Sequence, residues 1–404
     1  MSKKYDRDGW VWRDIVDRDN PICSFSPANV DDLEIDTDVK TRYVASFNWK
    51  YPRHHGGRPY MIVPGCPLKY STWKGGKLER TKGLMFVDQN HAMNKKFPME
   101  SLFRCVQICS SMSGKDLKFQ DYDFCTDRNN LRKIYSIASS TRSNGDGPCR
   151  IDIERVGNLI ALIRVERTDV SKDHYGNFGH SFEHVMTRPV PGAGHGHRPG
   201  DGSFRCVKEV KFAGFKLLVR FEVDCADYGD DFSSEDFQTI GNGIANATYP
   251  KQIPGSILGC VVTPSLFLDN GEKKSIPVEK TKSLVELTSS KTGSVGKKWP
   301  QLYFSGTDRL VIGRHNDGLF DRIDELSLEK VEQRIGGRPK HHLKKMATLL
   351  EAISNFCREM PEGQLCSLVW HPKLGDRDQI FMFQRHSNAF TRIAPSDVIE
   401  QLRI

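Results

Sequence analysis

The stretch that decides the reading is FKLLVRFEVD, residues 215–224. Phe215, Leu217, Val219, Phe221 and Val223 alternate with Lys216, Leu218, Arg220, Glu222 and Asp224, the period-two pattern of a β-strand with one apolar face. Glu222 and Asp224 therefore leave the same face. Two adjacent carboxylates raise each other's pKa unless a cation stands between them. Arg220 points the same way, so the strand alone favours a salt bridge over a metal site.

Working outward, the neighbouring segments read as sheet and helix in alternation. Residues 207–212 pair with 215–224 as a hairpin turning at Ala213-Gly214, and residues 150–166 form a second hairpin turning at Gly157-Asn158. Further strands are expected at 41–49, 283–287, 309–314, 365–370 and 379–384, with another from Phe320. Helices are expected at 98–109, from Asp127 as N-cap, at 176–186 and at 340–360. Residues 1–40 read as an irregular arm over the surface, and 41–404 as one large α+β domain with a mixed sheet flanked by helices.

The chain has 404 residues, 38% hydrophobic and 27% charged, which suits a globular protein and not a disordered one. No apolar run is long enough to span a membrane, and the N-terminus has no signal-peptide core, so an intracellular protein, nuclear or cytoplasmic, is expected. The net charge of +8 favours an anionic partner, of which nucleic acid is the commonest. None of the eleven cysteines forms a C-x-x-C pair, which argues against a structural zinc site and for reduced, buried thiols. Cys105 and Cys109, one helical turn apart, read as core. His195 and His197, in the loop GAGHGHRPGDG, read as solvent-exposed.

The acids form an ordered series: Glu183 on a helix, Glu222 and Asp224 on one strand, Glu286 on another, then Gln301. Hard divalent cations take several oxygen ligands from separate elements, and two such ions can clamp both oxygens of a phosphodiester under attack. Arg128, Arg132 and Lys133 could hold phosphates, or form a solvated basic helix face.

These residues also resemble a family. Gly179-His180-Ser181-Phe182-Glu183 is similar to the G-Φ-x-Φ-E motif of the DXO-type decapping exoribonucleases, with His180 departing from the pattern. Glu222-Val223-Asp224 is similar to that family's E-Φ-D motif, Val285-Glu286-Leu287 to its E-Φ-K motif, and KKWPQLYFSG to the segment supplying its active-site glutamine, here Gln301. Arg128 falls where the family has a substrate-contacting arginine. The motifs run in order across roughly residues 40–390. The resemblance implies a PD-(D/E)XK nuclease-like core, with Glu183, Glu222, Asp224 and Glu286 as ligands of Mg²⁺ or Mn²⁺. It implies a pocket for RNA 5′ ends, removal of incomplete caps or 5′ triphosphate, and 5′→3′ exoribonuclease activity. Some relatives in that family bind a 5′→3′ exoribonuclease, so such a partner is a further expectation.

One departure bears on mechanism. The family's E-Φ-K motif ends in lysine, and this chain has Thr288 there. A threonine brings a hydrogen bond and no charge to a position where negative charge develops. Lys291 is the nearby replacement, although its odd spacing from Glu286 turns it away on a regular strand. Three functions stay open: an active RNA 5′-end hydrolase; a degenerate relative binding RNA or an exoribonuclease without hydrolysis; and a structural protein whose acids are ion pairs. Clustered unpaired acids cost stability, which argues against the third.

Overall fold

In the computed structural model, described for residues 8–50, 60–115, 117–142, 147–191, 193, 202–245 and 277–404, the Phe215–Val223 strand lies inside a ten-stranded sheet. Its apolar residues Leu217, Val219, Phe221 and Val223 join a core with the helices Arg128–Ala138, Trp299–Ser305 and Lys340–Glu359. The other face is buried as well. Leu218 packs into a second core with the helix Glu100–Ser113, and Arg220 is fully buried beside it. One apolar face was the expectation; a strand central to a sheet covered on both sides needs two.

The sheet is mixed. Phe124–Asp127 runs parallel to both its neighbours, Phe215–Val223 and Leu159–Val165, and the remaining strand pairs of the sheet are antiparallel. The hairpins at 213–214 and 157–158 form as read, with Arg205 directly opposite Glu222 in the first. At the far edge, the strand Cys23–Phe25 pairs with Ile380–Gln384, and Val11 and Ile15 pack on Val369 and Phe383. Part of the N-terminal stretch is thus sheet edge and core.

A second, seven-stranded sheet carries Cys225–Asp227, Ser283–Ser290, Arg309–Asn316 and Leu319–Ser327 at its centre. The chain passes from the first sheet into the second at Asp224, between the strands Phe215–Val223 and Cys225–Asp227. Cys225 pairs with Val285, so Asp224 falls opposite Glu286 at the seam. The expected mixed sheet core is present as two large sheets that meet at the acidic motif, beside a two-stranded sheet of Thr81–Phe86 and Val170–Asn177.

The helix Gly179–Val185 packs on the second sheet. Phe182 stacks on Phe320 with ring centroids 5.4 Å apart, over Val285, Leu287 and Val311. Cys105 and Cys109 are buried core residues. His195 and His197 lie outside the described residues. Among the described residues no helix is long and apolar enough to cross a membrane.

Candidate functional site

Arg220 does not serve the two acids that share its strand face. Its guanidinium chelates Asp127 through Nε at 2.8 Å and Nη2 at 2.9 Å, and donates to Ser101 Oγ at 2.6 Å and the Pro98 carbonyl at 2.9 Å. Asp127 is consequently not the side-chain cap of the following helix; it stands at the cap position with its carboxylate committed to Arg220. The salt-bridge reading of the strand holds only for Glu222, and through another arginine. Arg205 Nη1 reaches Glu222 Oε1 at 2.8 Å across the hairpin. Burial pushes the Glu222 carboxyl up, but Arg205 outweighs it and leaves the group below its ordinary range.

Asp224 is the opposite case. Burial, then the charges of Glu286 and Glu183, push its carboxyl well above its ordinary range, against a hydrogen bond from the Leu287 backbone N–H at 2.7 Å; Glu222 adds to the rise. The four acids are electrostatic neighbours, and Asp224 sits where their fields meet.

Each acid also has a protein donor. Glu183 Oε2 meets His180 Nδ1 at 2.9 Å, and this contact raises the histidine's pKa. Glu286 Oε1 accepts from Gln301 Nε2 and lies 3.5 Å from Lys298 Nζ, while its Oε2 lies 3.7 Å from Arg128 Nη2. With the side chains so engaged, no group of three or more His, Cys, Asp and Glu among the described residues is set to hold a metal ion. The donor chemistry nevertheless fits one. Asp224 and the three acids beside it supply the oxygens a hard divalent cation takes, and such a cation would offset the desolvation and the neighbouring charges that raise Asp224. Glu183 and Glu222, each held by one protein donor, keep 36% and 55% of their side chains exposed.

Beside the acids is a cavity of about 220 Å³ lined by Arg128, Arg132, Arg164, Arg205 and Arg220, with Glu222 and Gln301 on its wall. Arg128 is not on a solvated face. It is 8% exposed, 5.3 Å above the Phe221 ring, and Nη1 lies 3.4 Å from Ser305 Oγ. Lys133 faces elsewhere, on Glu166 at 2.9 Å. Arg132 stands in the field of Arg128 and Arg164, and burial lowers its pKa first, those charges next.

Thr288 shares the strand face of Glu286, two residues on. Lys291 follows the end of that strand, exposed, and its charge acts on His315 and Asp317. Sequence reading singled out neither Lys298 nor Arg205. Lys298 had one legible signal: it precedes Gln301 by three residues, so a helix start there sets both on one side.

Solved structures with this fold are Rai1 proteins and Dxo1. Schizosaccharomyces (S. pombe) Rai1 matches at 15% identity and TM-score 0.51, over 90% of this chain and 99% of that one. Candida albicans Rai1, in complex with pU5 and Mn²⁺, matches at 14% and 0.55, over 94% and 99%. K. lactis Dxo1, in complex with manganese, matches at 10% and 0.50, over 90% and 97%. The chain shares their fold, as the motif order led one to expect. No curated protein matches it in sequence. Residues 27–402 match the family described as Domain of unknown function (DUF8563), and the chain belongs to that family.

Proposed function

We propose that this protein is a divalent-metal-dependent hydrolase of RNA 5′ ends. The observation that carries the reading is the junction of a carboxylate cluster, Glu183, Glu222, Asp224 and Glu286, with an arginine-lined cavity. Acids alone would fit an ion-pair network, and arginines alone a passive anion site. Side by side, they suit a phosphate chain held at one end and attacked at the other.

The four carboxylates would hold Mg²⁺ or Mn²⁺, which supplies Lewis-acid stabilisation of a phosphoryl oxygen. Gln301, 7% exposed and bonded to Glu286, can orient a water through its amide. Arg128 and Arg132 would bind the 5′ phosphates from the cavity wall, where partial burial strengthens their field. The relatives' names and ligands agree with this reading: the Candida albicans Rai1 complex contains a uridine oligonucleotide and Mn²⁺.

Thr288 favours a second reading, in which the same cleft binds RNA or an exoribonuclease without cleaving RNA. One assay separates them. The protein is incubated with Mn²⁺ or Mg²⁺ and RNA bearing a 5′ triphosphate, a 5′ monophosphate or an incomplete cap, and the released groups are identified by mass. Release of pyrophosphate, cap or nucleotide supports the hydrolase; saturable binding with intact RNA supports the second reading.

A further inference from the structure

We infer that Lys298 supplies the positive charge that Thr288 does not; the inference rests on the hydrolase reading above. Lys298 Nζ lies 3.5 Å from Glu286 Oε1, the same oxygen that accepts from Gln301. Thr288 projects from the strand on the face of Glu286, and Lys298 arrives at that carboxylate from the adjoining helix. The charge has moved ten residues along the sequence while remaining beside the same acid.

The base of Lys298 is firmly set. It occupies the N-cap of the helix Trp299–Ser305, with Pro300 in the first turn, and its backbone N–H donates to the Val295 carbonyl at 2.9 Å. Trp299, 1% exposed, stacks on Tyr303 at 4.6 Å and donates from Nε1 to Glu332 at 3.2 Å. The ammonium at the other end keeps 28% of its side chain exposed. An ammonium has three donors, so contact with Glu286 leaves capacity for a phosphate oxygen.

The other cations near the acids hold different positions. Arg128 reaches the opposite oxygen of Glu286, Oε2, at 3.7 Å, from the cavity wall where it lies against Ser305 and Phe221, and Arg205 is paired with Glu222. Lys208 donates to the Gly306 carbonyl at 3.0 Å. Lys291 acts on His315 and Asp317.

In the reaction, a water oxygen bonds to phosphorus and the bond from phosphorus to the leaving oxygen breaks. The water's proton passes to solvent, and the leaving oxygen keeps the electron pair until solvent protonates it. Lys298 neither gains nor loses a proton. It stabilises the charge that accumulates on the non-bridging oxygens as the new bond forms.

The test uses the full chain, a 5′-triphosphorylated RNA oligonucleotide and Mn²⁺, and reads kcat, KM and the Mn²⁺-induced rise in melting temperature. Lys298→Ala is expected to lower kcat by about 100-fold, the loss typical of one electrostatic donor, with the Mn²⁺ effect retained. Lys298→Arg should recover part of the rate, and Thr288→Lys combined with Lys298→Ala should recover more. Failure of both rescues would mean that Lys298 only holds the helix in place, and overturns the assignment. So would wild-type kcat in Lys298→Ala, or a loss seen with Lys291→Ala instead. If the unmodified protein binds Mn²⁺ and RNA but hydrolyses none, the hydrolase reading falls and this inference with it. Hydrolysis indifferent to Lys298→Ala overturns this inference alone.

Discussion

Asp224 and Leu287 are joined across the seam of the two sheets, the Leu287 backbone N–H donating to Asp224 Oδ2 at 2.7 Å. That bond fixes a carboxylate where burial and three other acids oppose its charge. A divalent cation bound there would favour the folded chain alone, because the ligands come together only on folding. Mn²⁺ at a hundred times its dissociation constant should therefore stabilise the protein by about 2.7 kcal/mol. Asp224→Asn keeps the shape and an acceptor for Leu287, so the fold should persist while the Mn²⁺ effect disappears. Thermal melts with Mn²⁺ and with a chelator measure both; an equal Mn²⁺ shift in the two proteins would remove Asp224 from the ligand set.

Glu183 depends on a contact one residue away. A Cβ on Gly313 would come within 2.5 Å of Phe182 Cε2 and 2.7 Å of Phe320 Cε1, so the stacked rings need the bare glycine beneath them. Gly313→Ala should cost about 1–3 kcal/mol through overpacking. It should also displace the Gly179–Val185 helix and weaken Mn²⁺ binding by roughly tenfold, as loss of outer support for a ligand commonly does. Titration of Mn²⁺ by calorimetry on the folded variant reads the second effect separately from the first.

The strands and hairpins were legible because alternation and turn residues are local properties, and the 215–223 strand follows them. What surrounded the site was not. Parity placed Arg220 on the side of Glu222 and Asp224, but its partner Asp127 is 93 residues away on a parallel neighbour. Arg205 reaches Glu222 only through hairpin register. The seam at Asp224 was hidden because one residue separates two strands that belong to different sheets. The spacing of Lys298 from Gln301 was legible, but its contact with Glu286 depends on the docking of its helix. Motif order named the acids; register and helix packing chose their partners.

The N-terminal stretch is anchored by a buried ion network with a defined pH response. Arg150 Nε meets Asp152 Oδ1 at 2.6 Å, Arg385 Nη1 meets Oδ2 at 3.1 Å, and Ser367 Oγ donates to Oδ1 at 2.7 Å. Arg150 also donates to the Val11 carbonyl at 3.0 Å. Burial would raise the Asp152 carboxyl, but the two arginines and the serine outweigh it, and its pKa falls below 3.8. A lowered acid adds stability above its unfolded value, and that stability is lost as pH falls through the folded one. Unfolding by urea should show a loss below about pH 4 that is smaller in Asp152→Asn. At pH 7 that variant should be less stable by about 3 kcal/mol, since it leaves buried guanidinium charge uncompensated. Earlier proteolytic cleavage within residues 8–22 would accompany it if this network holds the stretch down.

Arg132 gives the cleanest test of the cavity as a phosphate site. Arg128→Ala would remove packing on Phe221 and the contact with Ser305 along with a charge, so its effects on binding and stability are mixed. Arg132 borders the same cavity and, among the described residues, forms no ion pair. Its burial beside Arg128 and Arg164, offset only in part by Glu286, costs energy that a bound anion would return. Arg132→Ala should leave the fold as stable as before, or more so, and weaken binding of 5′-phosphorylated RNA. Each lost phosphate contact reduces the salt slope for single-stranded RNA by about 0.7, because fewer counterions are released. Fluorescence anisotropy across a salt series measures this. The loss should shrink for an oligonucleotide with a 5′ hydroxyl, since the cavity would then lack its anion. An equal loss for both RNAs would assign Arg132 to the body of the strand and not to the 5′ end. An unchanged slope would take it out of the RNA path altogether.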